Sequence, residues 1–173
     1  METLWSGNHF DVVSLGDENW EAVHENDMVL MLPLLDGEYI IRKEYCPSYN
    51  VKDDEGHDKF WTPISGTVEN GEHPVETLKR EMGEETPVLP QKIRIIEQIK
   101  QIPFVKVSTQ RVSFYHFEVL DYSKTNAEGD GSNVEERSDY QFVDHDELQT
   151  LSTRPNADFL LTYMAKTAAL EHM

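Results

Sequence analysis

The 173 residues carry 38% hydrophobic side chains with three Trp, seven Tyr and seven Phe, enough for one packed domain and too much for a disordered acidic tail. A formal charge of −18 opposes direct binding to nucleic-acid backbones or anionic membrane surfaces, and admits an anionic small molecule only where cations screen it. Cys46 is the single cysteine, so no intrachain disulfide can form and a reducing, cytoplasmic setting is expected.

The opening METLWSGNHF has neither a basic nor an apolar leader pattern, which argues against a secretory signal. DVVSL (11–15) and WEAV (20–23) predict short strands around the polar turn GDEN. MVLMLPLL (28–35), the turn DGE and YIIRKEY (39–45) predict a hairpin, because Asp-Gly between apolar runs favours the tight turns that join antiparallel strands. The run VLMLPLL falls far short of the ~20 apolar residues of a membrane-spanning helix. NVKDDEGHDK (50–59) is polar and aperiodic and is expected to be an exposed loop. FWTPIS (60–65) resumes an extended course and leads into Gly66.

From Pro74 to about Thr86 the pattern predicts a helix, with proline at a tolerated first-turn position and Thr86-Pro87 as its stop. KIRIIEQIKQI (92–102) favours a strand for its β-branched content, and RVSFYHFEVL (111–120) predicts another. SKTNAEGDGSNVEERSD then reads as a mobile surface segment, QFV (141–143) as a last short strand, and DHDELQTL and PNADFLLTYMAKTAALEHM as two closing helices. Strands on both sides of one central helix, with helices at the end, suggest a mixed α/β sandwich in one domain, about 1–27 being an N-terminal β region.

The central helix raises a question of charge. The stretch GTVENGEHPVETLKREMGEETPV (66–88) holds six acidic residues. At about 100° per residue, Val75, Leu78 and Met82 form one apolar arc, with Glu85 at its edge, Glu81 beside it and Glu84 further round. Arg80 is placed to pair with Glu84 at i,i+4. A solvated outer face is one reading of such a cluster. Against it, Glu81 and Glu85 are like charges at i,i+4, which costs a helix a few tenths of a kcal/mol unless a cation lies between them. Carboxylates are hard oxygen ligands suited to Mg²⁺ or Mn²⁺, and no Cys/His cluster offers a competing zinc site. The seven histidines fit no ligand spacing and read as structural or surface residues, His116 as partly buried.

The spacing Gly66, five residues, Glu72, seven residues, then Arg80-Glu81-Met82-Gly83-Glu84-Glu85-Thr86-Pro87-Val88 resembles the Nudix box of the Nudix hydrolases. Every fixed position matches except the last glycine, which is Pro87 here. Proline cannot supply a positive-φ turn, so the helix exit must be rebuilt locally. The resemblance implies an α/β/α sandwich and metal-dependent hydrolysis of a nucleoside diphosphate linked to another moiety. It implies Glu81, Glu84 and Glu85 as ligands of Mg²⁺ or Mn²⁺, with the Ser65 carbonyl before Gly66 as a further ligand. It implies Arg80 as the residue orienting the glutamates, and Glu72 as a loop anchor or a contact to metal through water. A loop glutamate acting as general base falls on Glu136, with Glu135 as the fallback.

For the substrate, a proline about sixteen residues past the box's last glycine position resembles the ADP-ribose pyrophosphatase branch, and counting from Pro87, Pro103 stands there. The N-terminal strands also resemble that branch, whose members commonly form homodimers through this region. KEYCPSYN departs from the branch's arginine-bearing strand end. Trp20, Tyr45 and Tyr49 are candidates to stack on a base, although aromatics beside strands more often belong to a core. The resemblance also leaves open hydrolysis of another substrate, NADH, a dinucleoside polyphosphate or a nucleoside triphosphate, and the rival from another class is a Nudix-fold domain that senses nucleotides without cleaving them.

Overall fold

The computed structural model describes residues 2–7, 10–15, 21–104, 107–127, 129 and 136–170. Its strands are β1 (Glu2–Ser6), β2 (Asp11–Ser14), β3 (Glu21–His24), β4 (Met28–Leu35), β5 (Glu38–Tyr45), β6 (Lys59–Thr62), β7 (Ile64–Thr67), β8 (Val88–Pro103), β9 (Arg111–Lys124) and β10 (Asp139–Val143). The helices are α1 (Pro74–Glu85), α2 (His145–Ser152) and α3 (Phe159–Leu170), with one 3₁₀ turn at Pro47–Tyr49.

The predicted hairpin forms as β4 and β5. Asp36 and Gly37 both adopt positive φ, 52° and 90°, the geometry that a two-residue turn between right-twisted strands requires. Just beyond that turn the strands separate. β4 and β5 pair only at Leu34–Tyr39 and Leu35–Glu38, after which β5 takes β6 as its partner and β4 takes β7. The chain that fills this fork, FWTPISGT, is broken at Pro63, which cannot donate to a ladder. The fork carries β7 and Gly66 to the sheet's middle, opposite Val29.

The seven-stranded sheet runs β10-β5-β4-β9-β8, with β6 on β5 and β7 on β4. β4 and β9 are parallel while the other pairs are antiparallel, so the sheet is mixed as expected. Period-two alternation divides the core. Val29, Met31, Ile40, Ile64, Tyr115 and Phe117 face Leu78 and Met82 of α1. Leu30, Leu32, Tyr39, Ile41, Val112 and Phe114 face α2 and α3 on the opposite side. The α/β/α sandwich is therefore present, and β1-β2-β3 form a separate antiparallel sheet before it.

Two expectations need correction. The segment 50–59 is irregular, yet its Asp53 is buried, because Lys43 on β5 pairs with it at 2.7 Å and the backbone N–H groups of Glu55 and His57 donate to it. Burial alone would raise the Asp53 carboxyl, and these partners hold it far below the usual carboxylate range. His116 is also fully in the core, 4% exposed, with its ring 5.8 Å from that of Tyr39. Strands β8 and β9 run longer than the β-branched runs foretold, to sixteen and fourteen residues.

Candidate active site

The helix α1 begins at an unusual cap. His73 Nδ1 accepts from Val75 N while the Glu76 carboxylate accepts from His73 N, closing a reciprocal box around the free N–H groups. At its other end Thr86 is extended, φ −138° and ψ 162°, as a residue before proline must be. Buried Thr86 satisfies the exit: its N–H and Oγ1 both donate to the Met82 carbonyl, and Oγ1 accepts from Val88 N. That is how the chain leaves the helix with Pro87 in place of glycine. The carbonyls of Gly83 and Glu84, left unpaired by the helix end, accept from Thr125 Oγ1 and Gly129 N of the segment after β9.

Arg80 organises the acidic wall. Its Nε and Nη2 donate to the two Glu72 carboxylate oxygens at 3.1 and 3.2 Å, and Nη2 also donates to the Thr67 carbonyl. Nη1 donates to Glu84 Oε2 at 3.1 Å and lies 2.8 Å from Glu81 Oε1. Glu72 in turn accepts from Glu69 N and Thr77 Oγ1. The hydrogen bonds from Arg80 outweigh burial and hold the Glu72 carboxyl down at about 2, and Glu72 raises the Arg80 guanidinium above its ordinary range. The loop before α1 is thus clamped to it.

Gly66 has a steric task. A Cβ built there would lie 2.1 Å from Glu81 Cγ and 2.5 Å from Glu81 Oε1. Only a residue without a side chain lets Glu81 lie across β7.

Two clefts flank this wall and share Glu84 and Glu85. One, of about 500 Å³, also includes Arg42, Glu136, Ser138, Asp139 and Tyr140. The other, of about 420 Å³, is lined by Ser65, Gly66, Thr67, Arg80 and Glu81. Glu81, Glu84, Glu85, Ser65, Gly66, Arg80 and Glu136 therefore gather around one pair of clefts. Glu72 stands behind them as the anchor of Arg80. Pro103 is exposed at the end of β8 and Tyr45 ends β5 under the Arg137 guanidinium, 3.5 Å from its ring centre; neither lines the two clefts. Trp20 and Glu135 lie outside the described residues.

The sequence reading missed Arg42. Alternation along YIIRKEY puts it on the Ile40 face of β5, under α1, where its guanidinium pairs with Glu85. Both side chains are nearly inaccessible, and Glu85 Oε2 is buried with no hydrogen-bond partner among the described residues. That orphaned oxygen and the oxygen-only donor set fit a divalent cation. It also missed Asp53, Glu55 and His57, whose ligand atoms lie within 4.8 Å of one another; among the described residues no other trio does, so Glu81, Glu84 and Glu85 share a wall without closing on one point. Lys43 already neutralises Asp53 in that trio.

A family model of the NUDIX domain matches residues 36–163. No curated protein matches the chain. A solved structure described as the crystal structure of an ADP compounds hydrolase is 17% identical, covering 99% of this chain and 91% of that one with a TM-score of 0.64. At that identity the likeness is one of fold. No helix among the described residues is long and apolar enough to cross a membrane.

Proposed function

This chain belongs to the NUDIX family as a Nudix pyrophosphohydrolase, and on that premise we propose that it hydrolyses the diphosphate bond of a nucleoside diphosphate sugar, ADP-ribose first among them, to AMP and ribose 5-phosphate. The observation that carries this reading is the Arg80 array, which draws Glu72, Glu81 and Glu84 together beside two clefts of a size suited to a small molecule. The structural neighbour's action on ADP compounds supports the choice of nucleotide.

Glu81, Glu84 and Glu85, with the Ser65 carbonyl, would hold Mg²⁺ or Mn²⁺. Such ions, when bound, neutralise the diphosphate and lower the pKa of a coordinated water. The chain's own residues do the rest. Arg80 fixes the rotamers of Glu81 and Glu84, and Glu72 fixes Arg80. Glu136, on the wall of the larger cleft, would take a proton from an attacking water. We place the protein in the cytoplasm as a homodimer, without nucleic-acid or membrane partners.

A second reading is a sensor that binds nucleotides without cleaving them, favoured by the occupation of Glu85 by Arg42. Incubation with a panel of ADP-ribose, NADH, dinucleoside polyphosphates and nucleoside triphosphates in Mg²⁺, with chromatography of the products, separates the two. AMP from ADP-ribose is expected, falling about 100-fold in Glu84→Gln, a loss of ~2.7 kcal/mol in transition-state stabilisation. Binding without turnover of any of them selects the sensor.

A further inference from the structure

Arg42 is outside the motif that organises the site, yet among the described residues it is the one cation on the wall of the larger cleft, beside Glu84, Glu85, Glu136 and Asp139. Arg80 is committed elsewhere, to Glu72, Glu81, Glu84 and the Thr67 carbonyl. Glu85 is reached by a different guanidinium, from the other side, on a sheet strand rather than on the helix. The pair Arg42–Glu85 is 5% and 6% exposed, so the Glu85 carboxylate is held out of water against the Arg42 guanidinium. The pairing leaves a carboxylate oxygen unused: among the described residues Glu85 Oε2 is buried without a hydrogen-bond partner. A buried carboxylate engaged through one oxygen, with the second kept dry beside an acidic cleft, is incompletely neutralised.

We propose that Arg42 is a resident counter-ion of Glu85 which a divalent cation must displace, so that the sheet strand β5 sets how tightly the site binds metal. The inference rests on the cation-binding role assigned above to Glu81, Glu84 and Glu85. Without Arg42 the cation-free protein would bury an unpaired carboxylate among like charges, and its fold would suffer. With Arg42, cation binding must first break a desolvated ion pair, which lowers apparent affinity by the free energy of that pair. Arg42 therefore exchanges affinity for stability of the empty site. The displaced guanidinium stays on the wall of the cleft that the proposed diphosphate would enter with its cations, where its planar fork matches phosphate oxygens.

The test is Mn²⁺ binding, read from the loss of the free-ion EPR signal, on wild type, Arg42→Gln and Glu81→Gln, with thermal melting in EDTA and in Mn²⁺. Arg42→Gln is expected to bind Mn²⁺ about tenfold more tightly than wild type. It is also expected to melt lower than wild type in EDTA and to recover in Mn²⁺, since a ligand that binds only the native state stabilises it. A purely structural role for Arg42 would lower melting in both conditions and leave Mn²⁺ affinity unchanged or weaker, and that result overturns the proposal. If Arg42→Gln does not fold, Arg42→Lys keeps the charge and loses the fork. Several-fold tighter Mn²⁺ binding by that variant then supports the displacement, and unchanged binding overturns it. Mn²⁺ affinity lost in Glu81→Gln but unaltered in Arg42→Gln sinks this inference alone. Failure of wild type to bind Mn²⁺ at all removes the cation site and this inference with it.

Discussion

The wall around α1 and the N-terminal sheet are both built from short polar-rich segments, but they are held in opposite ways. Around α1, charged groups that would repel one another are tied by Arg80, Arg42 and Thr77 over an apolar floor of Val29, Met31, Leu78 and Met82. In the N-terminal sheet every residue of β1 is exposed, including Leu4 at 50% and Trp5 at 53%, and only Val13 and Ala22 are buried. It joins the main body through Val23, which donates to the Val107 carbonyl and accepts from Thr109 N, and through His24, whose ring meets Thr109 Oγ1 at 2.7 Å. The first region is fixed by its own chain. The second has ordered backbone ladders and apolar side chains that the described residues leave uncovered.

The sharpest way to break this contrast is Gly66→Ala. The added methyl would sit 2.1 Å from Glu81 Cγ and 2.4 Å from Glu81 Cδ, so Glu81 must swing away from its Arg80 contact. Overpacking of this kind costs about 1–3 kcal/mol. Chemical unfolding should show that loss, together with weakened Mn²⁺ binding. A variant as stable and as metal-competent as wild type would show that the wall is not sterically set.

A smaller effect comes from the clamp behind the wall. The Glu72 carboxyl is held at about 2 against an ordinary 4.5, so the native state favours its charged form. A depressed native pKa contributes stability that is fully present above the unfolded value and is lost as pH falls through the native one. Wild type should therefore lose urea stability progressively from pH 4.5 towards 2, and Glu72→Gln should flatten part of that slope. At neutral pH the variant should be less stable by about 1 kcal/mol, after allowance for the partial exposure of Arg80. Identical pH profiles for the two proteins would mean that Arg80 does not depend on this carboxylate.

The same contrast marks what the sequence made legible. Helix α1, its start at Pro74, the hairpin at Asp36-Gly37 and the pairing of Arg80 with Glu84 all follow from local rules of spacing, capping and turn chemistry. The gathering of Ser65, Gly66 and the glutamates followed from the motif resemblance, because the motif itself spans β7 and α1. Arg42 and Asp53 were not legible in this way. Each is a charged residue in a strand or loop whose burial is decided by a partner far away in sequence, Glu85 for one and Lys43 for the other. Period-two alternation marks Arg42 as inward-facing only once Ile40 is known to lie under the helix. Strand β1 was missed because ETLWS shows no alternation of buried and exposed positions, and its ladder with β2 is set by register alone. Pro103 ends the long sheet-edge strand β8 and lines neither cleft; a fixed distance along the chain does not fix where a bulged strand delivers its end.

The smallest effect belongs to the N-terminal sheet. Leu4 is half exposed on a strand none of whose residues is buried, so Leu4→Ser removes little apolar area that folding had taken from water. Urea unfolding at low protein concentration should shift by less than about 0.5 kcal/mol, as for surface substitutions remote from any special contact. Low concentration keeps the chains apart. In a homodimer built on this sheet, Leu4 would be covered by a second copy, and stability would then rise with protein concentration for wild type but less for the variant. A small shift that stays constant with concentration keeps the N-terminal sheet as the weakly held member of the pair. A large shift that grows with concentration reverses the comparison, because the apolar side chains of β1 would then be buried between chains as firmly as Met82 is within one.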